Sequence, residues 1–245
     1  MIFISIISHG HGKMVAALVA ELLECPEIGK IVVTKNIPES LQLPQDSRIM
    51  VTENAGPAGF AANHNAAFRH CALRYFCPLN PDIQLLGNPF PSLLTAIEEG
   101  NAAVVAPLVK NPLGVVEDSL RPFPTIRSLL SKALVLSDNC YKIKDFQTVF
   151  YPEWVAGMFM LFRSADYRQL GGFDSRFFLY YEDVDICARA WKSGMKVMAC
   201  PSVYVVHDAQ RASHRNIFHM WLHLQSMVRY FLKHWLRLPS LPNRR

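Results

Sequence analysis

The feature that most constrains this chain is an alternation of short apolar runs with stretches of helical spacing, sustained from the first residue to about residue 109. Met1–Ile7 reads as a buried strand and Met14–Glu24 as a helix. Ile31–Val33 and Arg48–Thr52 read as strands, and Pro57–Tyr75 carries helical spacing, with Pro57 suited to a first helical turn. Phe76–Leu79 is a strand that stops at Asn80-Pro81-Asp82; Pro91–Glu99 is a helix and Ala102–Val109 another apolar strand. This alternation predicts an α/β, Rossmann-like fold: a mostly parallel central sheet with helices on both faces. In such sheets ligands sit beyond the carboxyl ends of the strands.

Lys110–Pro152 is the least regular region, with turn formers and scattered bases that suit an acceptor-side insertion. Regularity returns at Trp154–Phe162 and Phe177–Tyr181, with a helix from about Glu182 to Lys192 and a strand-like Lys196–Ala199. With no internal repeat and no flexible linker, residues 1–213 read as one domain and 214–245 as a helical tail. Ile217, Trp221, Leu224, Val228, Phe231, Trp235 and Leu238 fall on one face of that tail; Arg215, His219, His223, Arg229, Lys233 and Arg237 fall on the other. Three readings stay open: a helix packed on the domain with a solvated basic face, an interfacial helix on anionic lipid, and the seam of a homo-oligomer.

The formal net charge is +5, and it is unevenly placed. From His207 onward there are seven Lys/Arg and one acid, leaving eighteen bases and nineteen acids for a nearly neutral body. That pattern points to an anionic ligand or surface at one end, not to a nucleic-acid binder. Six scattered Cys without a CxxC pair read as buried thiols of a reducing compartment. The opening run is too short and lacks the basic leader of a signal peptide, and no run of eighteen apolar residues exists. The expected location is cytoplasmic, peripheral on the inner face of the plasma membrane if the tail meets lipid.

Four clusters could carry chemistry. Asp82 closes an Asn-Pro-Asp turn after a strand, where one carboxylate can serve Mg²⁺ alongside substrate phosphates. Glu182, Asp183 and Asp185 follow the wall Phe177-Phe178-Leu179-Tyr180-Tyr181; they cap a helix by charge or supply a general base raised by apolar surroundings. Glu53–Asn65 sets small residues and three Asn near a helix start, fit for a nucleotide or its phosphates, yet it is neither a P-loop nor a GxGxxG fingerprint. His207 follows a strand, with Arg211, His214 and Arg215 close behind, a set able to complete a metal site and clamp a diphosphate. Ser8-His9-Gly10-His11-Gly12 lies beyond the first strand, where a nucleotide would bind.

Taken in order, these segments resemble the family-2 glycosyltransferases of GT-A fold, in their rhamnosyltransferase-like branch. The residues are Asn54, Gly59-Phe60, Asn63 and Asn65; Leu79–Ile83; Trp154–Met160; Gly171–Asp174; Phe177–Asp185; Arg189, Gly194 and His207. The resemblance runs from Met1 to about Arg215. It implies inverting transfer of a sugar from a nucleoside-diphosphate donor, with dTDP-L-rhamnose the best guess, to a hydroxyl of a glycan or lipid-linked acceptor in bacterial surface polysaccharide synthesis. It further implies Asp183 as base with Glu182 beside it, and Asp82 with His207 on Mg²⁺ or Mn²⁺. Ser8, His9, Asn54, Gly59, Asn63, Asn80, Arg211 and Arg215 would bind donor; Trp154 and Tyr181 would line the acceptor side. One base and one cation imply inversion, because retaining hydrolysis needs a second carboxylate as nucleophile.

Two departures matter. The second strand ends in Val33-Thr34-Lys35-Asn36 with no nucleotide-binding acid, and Asn80 replaces the first acid of the DxD pattern. They motivate an alternative, a catalytically silent sugar-nucleotide-binding or scaffold subunit, against which the Glu182-Asp183 pair argues. A nucleotidyltransferase ranks last, for want of an early Gly-rich basic loop.

Overall fold

The computed structural model describes residues 1–126, 128, 141, 145–208, 217–235 and 237–239. Strand β1 (Ile2–Ser8) is buried almost throughout, as expected of a run without polar alternation. It pairs in parallel with β2 (Ile28–Lys35) and β4 (Tyr75–Leu79), and β2 carries β3 (Ile49–Glu53) in parallel on its outer side. The strand β6 (Ala102–Lys110) is parallel to β10 (Lys196–His207), which carries the short antiparallel edge strand β5 (Ile83–Gln84). Between these two halves lies β9 (Leu161–Arg163), antiparallel to both β4 and β6. The eight-stranded order is β3-β2-β1-β4-β9-β6-β10-β5, mostly parallel, as the alternation predicts.

Each sheet face has its own core. On one face Ile2, Ile4 and Ile6 meet helix α1 (Gly12–Leu23) and helix α3 (Phe90–Glu99), through residues such as Leu18, Leu93 and Ile97. On the other, Phe3, Phe76, Val104 and Phe162 meet helices α2 (Phe60–Phe68), α4 (Ser164–Gln169) and α5 (Glu182–Lys192). Tyr167 of α4 sits at the centre of this second core, its ring against those of Phe68, Phe76, Phe162 and Phe173.

Several boundaries differ from expectation. Helical spacing over Pro57–Tyr75 yields only nine helical residues, because short turns from Arg69, His70 and Cys71 back to Ala66, Ala67 and Phe68 wind the helix down before β4. The apolar run Trp154–Phe162 is two strands: β8 (Trp154–Val155), paired with β7 (Leu120–Arg121) in a small second sheet, and β9. The residues between them cross from one sheet to the other. Cys25, Cys71, Cys77, Cys187 and Cys200 are free and buried, and Cys140 lies outside the described residues. Among the described residues, no helix is long and apolar enough to cross a membrane.

The tail packs on the body, but not by the face that the packed-helix reading implies. Helix α6 (Ile217–His234) packs on the body through Leu222, Ser226, Tyr230 and His234, every fourth residue. That face is opposite to the apolar stripe, which a helix with a solvated basic face would have turned to the body. Trp221, Leu224, Val228 and Trp235 point outward, whereas Phe231 and Leu238 are half-buried at the body's edge. The helix reverses because its body-side contacts are specific polar ones. Ser226 Oγ donates to Leu179 O at 2.8 Å, and His234 Nε2 and Lys233 Nζ meet Asp185 Oδ1 at 2.8 and 2.6 Å. Asp185 is fully buried on α5 and also holds Arg189 at 2.7 Å.

Candidate active site

A cavity of about 650 Å³ opens beyond the carboxyl ends of β1, β2 and β4, where the fold class predicts a ligand. His9, Gly59, Asn63, Asn80 and Asp82 line it, so five of the residues selected from sequence converge there. Asn36 lines it as well, and organises it. The side-chain oxygen of Asn36 accepts from Ala58 N (2.8 Å), Asn54 Nδ2 (2.9 Å) and Asn63 Nδ2 (3.1 Å), and its amide donates to Ala58 O and His9 Nδ1. Asn54 also donates to Asn63 Oδ1 at 2.7 Å. The three asparagines thus pin the loop 55–58 to the end of β2, where sequence reading had looked for a carboxylate. Asn54 acts within this network; it does not line the cavity.

Gly59 sits where no side chain fits: a Cβ there would lie 2.5 Å from Phe178 O. Phe60 N donates to that same oxygen at 2.8 Å, locking the start of α2 onto the loop before α5. Ser8 is fully buried at the end of β1, its hydroxyl unpartnered and its carbonyl accepting from Asn36 N. His64, on α2 and also lining the cavity, is buried with Nδ1 2.8 Å from Ser5 Oγ; burial lowers its pKa to about 3, so it is neutral.

The two acid sites are joined by a short crossing. Asn80 N donates to Met158 O at 2.9 Å, and Gly157 N donates to Asp183 Oδ2 at 2.9 Å. Neighbouring residues of the segment between β8 and β9 therefore hold the Asn80-Pro81-Asp82 turn at one end and the head of α5 at the other. Asp183 Oδ1 accepts from Val184 N at 2.8 Å. Burial raises the Asp183 carboxyl above its ordinary 3.8, though these backbone donors oppose the rise. Glu182 is pushed well above 4.5 by deeper burial and by Asp183 beside it, and its Oε2 is buried without a partner. Both carboxyls are raised, Glu182 the further, so Asp183 is the more acidic member of the pair. The helix start is itself strained: Tyr180 (φ 69°) and Tyr181 (φ 67°) are both left-handed, each at a cost of order 1–2 kcal/mol.

His207 bridges two carboxylates: Nε2 lies 3.2 Å from Asp82 Oδ2 and Nδ1 2.7 Å from Glu117 Oε2. Burial alone would lower its pKa, but these two acids hold it above the ordinary 6.5. Glu117 was missed by sequence reading, because it lies in the irregular region with no motif around it. Among the described residues, no three metal-type side chains group to hold an ion. The donors do suit a divalent cation in part. Asp82 Oδ1 is buried and unpartnered, a hard oxygen, and His207 adds a nitrogen once Nε2 gives up its proton.

The acceptor-side residues are placed differently. Trp154 is buried, with Nε1 donating to Pro122 O at 2.9 Å and the Arg121 guanidinium 5.9 Å from its ring. Arg121 also lowers Asp183 electrostatically and was not singled out from sequence. Tyr181 lies under the tail, its ring 5.3 Å from those of His223 and Tyr230. Arg211 and Arg215 lie outside the described residues.

A family model described as the N-terminal domain of galactosyltransferase matches residues 143–216. Rhamnosyltransferase WbbL of Escherichia coli (strain K12) is 29% identical over 249 residues, covering 95% of this chain and 93% of that protein. The N-acetylglucosaminyl-diphospho-decaprenol L-rhamnosyltransferase of Mycobacterium tuberculosis (strain ATCC 25618 / H37Rv) is 32% identical over 146 residues, 56% of this chain and 48% of that one. Among solved structures, GalNAc-T7 with UDP, GalNAc and Mn²⁺ superposes with TM-score 0.66 at 14% identity, over 85% of this chain and 44% of its own. Mannosyltransferase PcManGT from Pyrobaculum calidifontis, with GDP-Man and Mn²⁺, gives 0.62 at 13%, over 98% and 65%. These matches bear out the GT-A fold and the rhamnosyltransferase-like resemblance.

Proposed function

We propose that this chain, a glycosyltransferase similar to the rhamnosyltransferase-like branch of family 2, transfers a sugar with inversion from a nucleoside-diphosphate donor to an acceptor hydroxyl. The best donor is dTDP-L-rhamnose, and the acceptor is a glycan or lipid-linked saccharide of a bacterial surface polysaccharide. The observation that carries this reading is the crossing at Gly157-Met158. It ties the Asp82 turn, at the cavity, to the Asp183 carboxyl.

In this mechanism the donor lies in the cavity against the asparagine-pinned loop and the β1 end at His9. The turn runs Asn80-Pro81-Asp82-Ile83, so Asp82 is its lone acid. Asp82 and His207 would hold Mg²⁺ or Mn²⁺, which when bound offsets charge developing on the leaving diphosphate. Asp183 accepts the acceptor hydroxyl's proton during attack on the anomeric carbon from the face opposite the diphosphate. Glu182 holds its proton the more tightly of the two, which leaves Asp183 as the base; a single base is the requirement for inversion. Work on a lipid-linked acceptor would set the protein at the cytoplasmic membrane face.

The test is Asp183→Asn, assayed with dTDP-L-rhamnose and a panel of saccharide acceptors. The expected outcome is loss of turnover by about 10³-fold, the span of general-base catalysis, with nucleotide-dependent thermal stabilisation retained. Unchanged turnover would remove Asp183 from the role. Stabilisation by nucleotide without transfer to any acceptor in the wild type would favour the silent-subunit alternative.

A further inference from the structure

Helix α6 is fastened to the body by one face and shows an apolar face to solvent. Trp221, Leu224, Val228, Leu232 and Trp235 follow one another at spacings of three and four and are all exposed, Leu232 by 77% and Trp221 by 59%. An outward stripe of five large apolar residues marks an interaction surface. It borders a groove of about 590 Å³ whose lining adds Arg176, Arg229 and Lys233 and no carboxylate. Lys233 is held by Asp174 and Asp185 and Arg176 by Asp174, whereas Arg229 makes no ion pair among the described residues. The face is therefore apolar along its length and cationic along its side.

We infer that this face lies on an anionic lipid bilayer, with α6 parallel to the membrane plane. A second copy of the chain, docked face to face, would set Arg176 and Arg229 against the same two cations, since a two-fold contact joins one patch to itself. A bilayer meets both halves of the pattern. The apolar stripe enters the acyl boundary while Arg229 and the largely exposed Arg176 face anionic headgroups. Trp221 and Trp235 stand about 21 Å apart along the axis and bracket the stripe with the side chain best suited to the water–lipid boundary. The opposite face needs no lipid, because Leu222, Ser226, Tyr230 and His234 are already seated on the body.

The same helix reaches the cavity. Phe218, His219 and Leu222, in its first turns, form part of the wall of the 650 Å³ cavity. Lipid docking thus brings the transfer cavity to the bilayer surface, where a lipid-linked acceptor presents its saccharide. This last step rests on the transfer reading; the docking itself does not.

The experiment is co-sedimentation of the full chain with phosphatidylcholine vesicles, with and without phosphatidylglycerol. Binding is expected to the anionic vesicles, at least about tenfold tighter than to neutral ones and falling with salt. The variant W221S/V228S/W235S should bind them about tenfold or more weakly with an unchanged melting temperature, since its three sites are exposed. Arg229→Glu should weaken anionic binding and leave neutral binding alone. Wild-type binding to neither vesicle, or variant binding equal to wild type, overturns the proposal. So does a dimer in solution that the triple variant converts to monomer without any vesicle binding. Thermal stabilisation by dTDP-L-rhamnose, measured on the same samples, separates the readings: vesicle binding without donor binding would sink the transfer reading alone.

Discussion

Helices α3 and α6 are both amphipathic, yet they use the property in opposite ways. In α3, Phe90, Leu93, Ala96 and Ile97 are buried against the sheet, and Glu98 and Glu99 face outward or pair at the rim. In α6 the apolar residues face out, and the buried set is Leu222, Ser226, Tyr230 and His234. Helical periodicity establishes that two faces differ, but not which one the body takes. That choice follows from what the body offers. To α3 the body offers apolar surface such as Phe159, whose ring meets that of Phe90; to α6 it offers the Leu179 carbonyl and the buried Asp185 carboxylate.

The sharpest test of the contrast is Phe90→Ala against a matched truncation on the tail. Phe90 is fully buried, so its loss should lower unfolding free energy by roughly 3–5 kcal/mol in denaturant titration. Asp185→Asn comes next, at about 3 kcal/mol, because it strands Arg189, Lys233 and His234 beside a neutral amide. Limited proteolysis should then cut the tail of that variant before the body, and equal protection of both would show the polar latch to be dispensable. At the bottom of the scale, Trp221→Ser should change stability by no more than ~0.5 kcal/mol. A loss near that of Phe90→Ala would mean the stripe is packed after all.

Acid separates the two helices in one sample. Burial would raise the Asp185 carboxyl, but His234, Arg189 and Lys233 overcome it and hold the pKa below the ordinary 3.8. Arg176 and Lys233 hold Asp174 lower still. A carboxylate with a depressed folded pKa contributes stability that is complete above its unfolded value and lost as pH falls through the folded one. The α6 attachment should therefore hold at pH 5 and weaken below about pH 3.8. Helix α3 is seated by apolar side chains, and acid reaches it only through Glu98 at its rim, so its seat should persist. Hydrogen exchange at pH 5 and pH 3 reads this directly: α6 amides should lose protection first.

The parallel sheet was legible because its strands are continuous apolar runs bounded by turn residues, and the head of α5 because three acids follow an aromatic wall. The role of Asn36 was not. An asparagine at a strand end carries no motif, and its value comes from Asn54, Asn63 and Ala58, each brought to it by the fold. Glu117 escaped for the same reason, since its backbone bond to Val109 and the β6–β10 pairing together bring it to His207. Tyr181, given an acceptor-side role by the resemblance, has His223 and Tyr230 as its ring neighbours, contacts that no local pattern announces.

The crossing at Gly157-Met158 has a meaning for descent as well as for chemistry. It works as a ruler: main-chain groups, not side chains, register the Asn80 turn at one mark and Asp183 at the next. Side chains along it can drift, but a one-residue insertion or deletion would displace both marks at once. Among descendants of this chain, the length of the segment between β8 and β9 should vary far less than its composition.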